Sequence, residues 1–247
     1  MIASLPMYDW PEVQAAHDRL WAGLRDRLRA GRLPAPDALS RDGRAFEWTA
    51  PDLLLSQTCG FPYRTALHGK VTLVGTPDYG LDGAPPGYYH SVLVVRADRA
   101  GEWRDFIGGT LAINSYDSQS GWAAAQNHAA EAGRRFDRIL VTGAHIGSAA
   151  AVADGRADIA AIDAMTWRLV EQYRPAVADR LRICTRTGPT PGLPLITACA
   201  DQADLLHTAF AGAVADLAPD DRKTLRLRGI VRIPAEAYLA VPTPAET

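Results

Sequence analysis

The sequence predicts an α/β protein built as two lobes, and three observations point that way. The second half alternates short apolar runs with loops and helical patterns, an order that lays helices on the faces of parallel strands. The first half holds apolar runs that are continuous rather than alternating, such as Asp52-Leu53-Leu54-Leu55-Ser56-Gln57, as strands buried on both faces require. Finally, Thr187 to Pro194 is too rich in proline and glycine for regular structure and reads as a connection between lobes. A chain of 247 residues accommodates two lobes, since domains commonly hold roughly 100–150 residues.

The elements follow in order. Ile2 to Met7 is expected as a short buried strand. Pro11 then sits where a first-turn proline is tolerated, with Asp9 or Trp10 as the cap. Val13, Ala16, His17, Leu20, Trp21, Leu24 and Leu28 recur at three- and four-residue spacing, which predicts an amphipathic helix ended by Gly31. His17 on that stripe reads as a packed structural histidine. Strands are predicted at 52–57, 71–75 and 91–95, with an ordered loop rich in Gly, Pro and Tyr from Thr76 to His90. From Leu111 the predicted strands are 111–113, 139–141, 159–162 and 181–184. Helices are predicted at 122–132, 148–154, 164–173 and 203–217, before a polar tail that contains Leu225 to Ile233.

Composition narrows the function classes. Apolar residues make up 47% and charged residues 22%, with a formal net charge of −2, so no basic face or tail announces a nucleic-acid partner. The three cysteines, Cys59, Cys184 and Cys199, fit neither a disulfide framework nor a CxxC metal pattern, and buried thiols are expected. No metal motif and no cofactor fingerprint is present in the sequence. The N-terminus has no basic stretch followed by the roughly 7–15 apolar residues of a secretory signal. No window approaches the ~20 apolar residues that span a bilayer. A cytoplasmic chain is therefore expected, or a periplasmic one from which a leader has been removed.

In open α/β sheets ligands bind beyond the carboxyl ends of the strands, which directs attention to the loops there. Asn114-Ser115-Tyr116-Asp117-Ser118-Gln119-Ser120-Gly121 runs directly into a helix. The first helical turn leaves N–H groups unpaired and carries partial positive charge, and serine hydroxyls add adjustable donors. Together they make a neutral cradle for phosphate, phosphonate, sulfate or carboxylate; plain capping by Ser118 or Asp117 is the alternative. Asp117 would repel an anion unless it points outward. Thr142-Gly143-Ala144-His145-Ile146-Gly147-Ser148 is a second strand-to-helix turn, where His145 can donate to an anion or serve structure alone. Asp163, ending an apolar strand, either caps the following helix or accepts from a ligand ammonium or hydroxyl group. In the other half, Tyr8, Gln57, Thr58 and Tyr89 stand at strand edges and loops as weaker candidates.

The same residues carry a resemblance. Leu5-Pro6-Met7-Tyr8, Leu54 through Gly60, Tyr89-His90-Ser91, Ser118-Gln119-Ser120-Gly121 and the block from Gly143 through Ala153-Asp154-Gly155-Arg156-Ala157-Asp158 to Asp163 are similar to the phosphate/phosphite/phosphonate substrate-binding proteins of ABC importers. The resemblance implies a two-lobed type II periplasmic-binding-protein-like fold with a ligand cleft between lobes. It places residues 1–95 plus 190–247 in one lobe and 96–189 in the other, with crossings near Val95–Ala97 and Thr185–Pro194. It further implies that Ser118, Gln119 and Ser120 hold the anionic head group, that His145 and Asp163 flank it, and that Tyr8 and Tyr89 contribute from the first lobe. A small anionic ligand and ABC transporter membrane subunits are the implied partners, with a cytoplasmic sensor as a variant of the same role. Members usually carry threonine where Gln119 stands, and they are exported. The alternative on this fold is a cofactor-free cytoplasmic lyase, with His145 and Asp163 as base and acid.

Overall fold

The computed structural model describes residues 1–244. Its strands in chain order are β1 (Ile2–Ala3), β2 (Leu53–Gln57), β3 (Thr72–Asp78), β4 (Tyr88–Tyr89), β5 (Ser91–Arg96), β6 (Thr110–Ile113), β7 (Arg138–Val141), β8 (Ile159–Asp163), β9 (Leu181–Arg186), β10 (Thr190–Pro191), β11 (Leu195–Thr197) and β12 (Gly229–Val231). The chain divides into two compact units, Met1–Gly87 with Pro191–Leu239, and Tyr88–Thr190 with the segment from Ala240.

The sheet of the first unit runs β1-β2-β11-β3-β12. β1 is parallel to β2, and β11 is antiparallel to both β2 and β3. β1, β2 and β3 therefore point the same way, and the loops after them leave the sheet at one end. The strand expected from Ile2 to Met7 stops at Ala3. Ser4 still donates its N–H to Leu55, but Pro6 has no N–H to continue the ladder.

The first helix is Gln14–Ala30, beginning after Val13 rather than after Asp9 or Trp10. Asp9 is instead engaged by His17 and Arg41 through its carboxylate. Ala16, His17, Leu20, Trp21, Leu24 and Leu28 form the buried stripe, which packs on the helix Ala203–Ala215. Burying each large apolar side chain contributes about 1.5–3 kcal/mol before ordering costs.

The sheet of the second unit runs β7-β6-β8-β5-β9. β6 is parallel to β7 and β8, while β5 is antiparallel to β8 and β9. Two expectations are corrected here. The sheet is mixed rather than wholly parallel, and residues 91–95, which the resemblance had placed in the first lobe, pair entirely within the second unit. The chain leaves the first unit at Gly87, where φ is +75° and an added Cβ would lie 2.2 Å from Val231 Cγ2. Only glycine suits that left-handed, crowded position. β4 pairs with β10 in a separate two-stranded sheet.

Ile159, Ala160, Ala161 and Ile162 are fully buried in the centre of the second sheet. Around it lie a π-helical turn Gln119–Ala123 leading into the helix Ala124–Ala130, then helices His145–Ala153 and Ala164–Tyr173. Near the end of the chain the expected polar tail is instead a helix Pro219–Leu225, strand β12 and a helix Ala235–Leu239. Tyr238 there is buried, its ring edge-on to Tyr63 at 5.2 Å between centroids. The three cysteines form no disulfide with one another and are half-buried rather than buried. Among the described residues no helix is long and apolar enough to cross a membrane.

Candidate functional site

In the second unit the parallel strands β6, β7 and β8 deliver their following loops to one end of the sheet. Because β5 runs the opposite way, it delivers its first residue, Ser91, to that same end, opposite Asp163 in the ladder. This antiparallel insertion makes Ser91 part of the constellation, which sequence order does not reveal.

Ser118 is the N-cap of the helix that follows β6, its hydroxyl accepting from the Gly121 N–H at 2.9 Å. The capping alternative is thus real for Ser118, but capping uses an oxygen lone pair and leaves the hydroxyl proton to donate elsewhere. Ser120 is not needed for the cap. Its Oγ lies 2.8 Å from His145 Nε2, and its carbonyl accepts from Ser91 Oγ at 2.9 Å. Ser118, Gln119 and Ser120 are all nearly inaccessible, whereas Asp117 is exposed, so the one carboxylate of this loop does not oppose an anion at the cradle.

Gly121 has a local reason. A Cβ there would fall 1.9 Å from Asn114 Oδ1 and 3.2 Å from Ser118 Oγ. Asn114 Oδ1 is itself sealed from water without a hydrogen-bond partner, an arrangement that costs energy and is uncommon away from functional sites.

His145 is the first residue of its helix. Its Nδ1 is sealed from water with no hydrogen-bond partner. Burial pushes its pKa down to about 4, so the imidazole is neutral at pH 7. Asp163 is 2% exposed, and its Oδ1 accepts from the Thr166 N–H at 2.8 Å, capping the next helix. Thr187 completes the group, its Oγ1 accepting from the Ser91 N–H at 3.0 Å. Sequence singled out Ser118, Gln119, Ser120, His145 and Asp163; it missed Ser91, Asn114 and Thr187 as members. Tyr89 lies buried on β4 in this unit, not in the first, where the resemblance had put it. A separate cavity of about 320 Å³ shares Gln119 and Thr187 with the cluster and is otherwise lined mainly by Asn127, His128, Gly188 and Pro242.

The first unit carries its own polar set, again after strands that share a direction. Tyr8 follows β1, Gln57 and Thr58 end β2, and Tyr79 follows β3. Tyr8 and Tyr79 meet edge to face at 5.0 Å. Gln57 Nε2 donates to the Leu193 carbonyl at 3.3 Å. Thr58 is wholly buried with Oγ1 unpartnered. Tyr79 was not singled out in sequence, since it sits in a glycine- and proline-rich loop. Asp9, next to Tyr8, is held by His17 Nδ1 at 2.9 Å and by Arg41. Burial raises its pKa, but these hydrogen bonds outweigh that and keep the carboxyl below its ordinary range. Among the described residues no group of His, Cys, Asp and Glu is placed to hold a metal ion.

Residues 55–235, more than half of the chain, match the family described as ABC transporter, phosphonate, periplasmic substrate-binding protein. Comparison with curated protein sequences finds no match. Among solved structures, PhnD1 of Prochlorococcus marinus in complex with methylphosphonate is similar with a TM-score of 0.72 at 13% identity, over 96% of this chain and 94% of that one. An ATP-bound protein of Xanthomonas citri has a TM-score of 0.69 at 16% identity, over 96% and 92% of the two chains. A binding-protein component of an ABC phosphonate transporter from Pseudomonas aeruginosa has a TM-score of 0.66 at 15% identity, over 93% and 80%. At these identities the structures establish a shared fold, the two-lobed α/β fold of periplasmic binding proteins. The family is one of binding proteins and not of enzymes, so the lyase alternative falls away. Matched over most of its length, the chain belongs to the phosphonate-type periplasmic substrate-binding protein family of ABC transporters.

Proposed function

We propose that this protein binds a small phosphonate- or phosphate-like oxyanion at the hydroxyl cluster of the second unit and presents it to the membrane subunits of an ABC importer. The observation that carries the proposal is the pair Ser118 and Ser120, buried at a helix start with His145 bonded to the second hydroxyl. A helix N-terminus with two hydroxyls replaces the hydration shell of an oxyanion without a formal positive charge. Asp163, at the same end of the sheet, suits an ammonium or hydroxyl group elsewhere on the ligand. The expectation of a cytoplasmic chain rests on the N-terminal sequence alone; the family is described as periplasmic, and we place the binding function there.

Calorimetric titration with methylphosphonate, phosphate, phosphite, sulfate and acetate tests the assignment. A phosphorus oxyanion is expected to bind the wild-type chain and to be lost in the Ser118→Ala/Ser120→Ala double variant. Equal binding to both proteins would move the site elsewhere. Sensing rather than import is the second reading, because a histidine kinase sensor domain similar to periplasmic binding proteins shares the fold at a TM-score of 0.57. Stimulation of a cognate importer's ATPase by the liganded protein separates the two roles.

A further inference from the structure

The cavity of about 320 Å³ next to the serine cluster has a chemistry of its own. Every residue that lines it belongs to the second unit. Part of the lining is one face of the helix Ala124–Ala130 with its C-cap, namely Ala124, Asn127, His128 and Glu131. Residues three and four apart share a helix face, which sets Asn127 beside Glu131. The return crossing near Thr190 and the segment Val241–Pro242 supply most of the remainder. Gln119 and Thr187 are shared with the serine cluster, since Thr187 Oγ1 accepts from the Ser91 N–H.

The orientation of the Asn127 amide is fixed by its partner. It bonds the Pro242 carbonyl at 2.9 Å, and a carbonyl oxygen only accepts, so the amide nitrogen is the atom on Pro242. Oδ1 is thereby left as an acceptor, and among the described residues it has no hydrogen bond. Glu131 stands at the C-cap, where the last carbonyls of a helix carry partial negative charge and cations rather than carboxylates are favoured. His128 does not compensate it. Its Nδ1 is 3.7 Å from Glu131 Oε2, beyond hydrogen-bond reach, and burial holds the imidazole pKa below its ordinary 6.5, so the ring is neutral at pH 7. Among the described lining residues there is no lysine or arginine. Arg104, the cation that acts on His128, lies over the Trp103 ring at 4.7 Å.

A carboxylate without a cation, an amide oxygen without a donor and the negative end of a helix together ask for a positively charged donor. We propose that this cavity is a second ligand site, taking a small primary alkylammonium whose –NH3+ group is held by Glu131 and Asn127 Oδ1. The three N–H donors of a primary ammonium match these acceptors, and bonds of this charge-assisted kind are the stronger ones. The alkyl body lies along Ala124, Val241 and Pro242, which line the same cavity. A volume of about 320 Å³ falls at the lower end of the roughly 300–1,000 Å³ of small-molecule sites. An anion would meet the Glu131 charge with no cation to offset it, so the site selects a charge opposite to that taken by the serine cluster. It stands on residues of its own and does not rest on the anion reading.

The probe is n-butylammonium, with 1-butanol and butyrate as controls of equal chain length, titrated at neutral pH and followed by amide chemical shifts in nuclear magnetic resonance. Butylammonium is expected to saturate with a Kd on the order of 1 mM, as suits so small a ligand, with its largest shifts at residues 127–131 and 188–190. The two controls should bind at least ~10-fold more weakly, lacking the charge-assisted bonds. Glu131→Gln alters an exposed side chain, keeps its shape and removes its charge. It should weaken butylammonium at least ~10-fold. Absence of saturable butylammonium binding, or equal binding to Glu131→Gln, would overturn the inference. So would largest shifts in the loops of His145 and Asp163, or competition with methylphosphonate, since either result would put the ammonium in the serine cluster. Failure of every phosphorus oxyanion to bind would remove the anion function proposed above and leave this second site standing.

Discussion

The two units build their polar sets by the same topological device and from different chemistry. In each, three strands of common direction deliver loops to one end of a sheet. The first unit fills that end with Tyr8, Tyr79, Gln57 and Thr58, aromatic edges and neutral amide or hydroxyl groups. The second fills it with hydroxyls at a helix start, an imidazole and a carboxylate, joined through Ser120, His145 and Ser91. Aromatic rings contribute area and shape, whereas the first turn of a helix contributes oriented donors that hold negative charge. Anion affinity should therefore reside in the second unit.

The strongest way to break this comparison is substitution on each side. Ser118→Ala/Ser120→Ala removes two hydrogen bonds to a charged ligand, at about 1.5 kcal/mol or more each, and should weaken binding at least ~100-fold. Tyr8→Phe and Thr58→Val should each stay within about threefold, the effect of a neutral bond at most. Larger losses from the first unit than from the second, measured by calorimetry, would reverse the assignment.

A finer probe is Gly121→Ala. The new methyl group must displace Asn114 Oδ1, from which it would lie 1.9 Å away, and so disturb the turn that carries Ser118 and Ser120. A loss of about tenfold in affinity is expected, with about 1–2 kcal/mol of stability lost in urea titration. Unchanged affinity would show that Asn114 moves aside freely.

The units should also respond differently to acid. His145 has a folded pKa of about 4 against an ordinary 6.5, so between these values the unfolded chain binds a proton that the folded chain does not. Stability from this group is complete above pH 6.5 and is lost as pH falls toward 4. His145→Asn should flatten the stability curve in that window, as read by thermal melts. Asp9 is shifted in the same direction, below its ordinary 3.8, but in a more acid window, so its contribution persists to lower pH and fades only below that value. Asp9→Ala should cost about 2 kcal/mol by stranding His17 and Arg41, and should leave anion affinity within about twofold. A change in affinity greater than that would show the first unit's anchoring to matter for the anion.

Much of the fold was legible because it is written in local patterns. The stripe from Ala16 to Leu28 places its helix, and Gly31 ends it as expected. The apolar runs at 53–57 and 159–162 are buried strands. Helix starts were harder, because a cap depends on where a side chain is taken by others: Asp9 turned to His17 and Arg41, so the helix began after Val13. Likewise the helix after β7 begins at His145, three residues before its expected start, which brings the imidazole into the first turn.

Candidate residues split along the same line. Ser118, Gln119, Ser120, His145 and Asp163 were visible because each follows a strand and begins a helix, so strand-loop-helix order alone aims them at one end of a sheet. Ser91, Asn114, Thr187 and Tyr79 were not, since their places depend on strand direction and on packing between distant segments. The sequence by itself determined the α/β class, the serine-rich helix start and the histidine and acid in the next two loops, because hydrophobic period and helix-capping chemistry are local. Only the tertiary structure decided that β5 runs antiparallel within the second sheet and that Ser120 and His145 meet in a hydrogen bond. Pairing partners follow from atoms brought together across the chain, which no local pattern encodes.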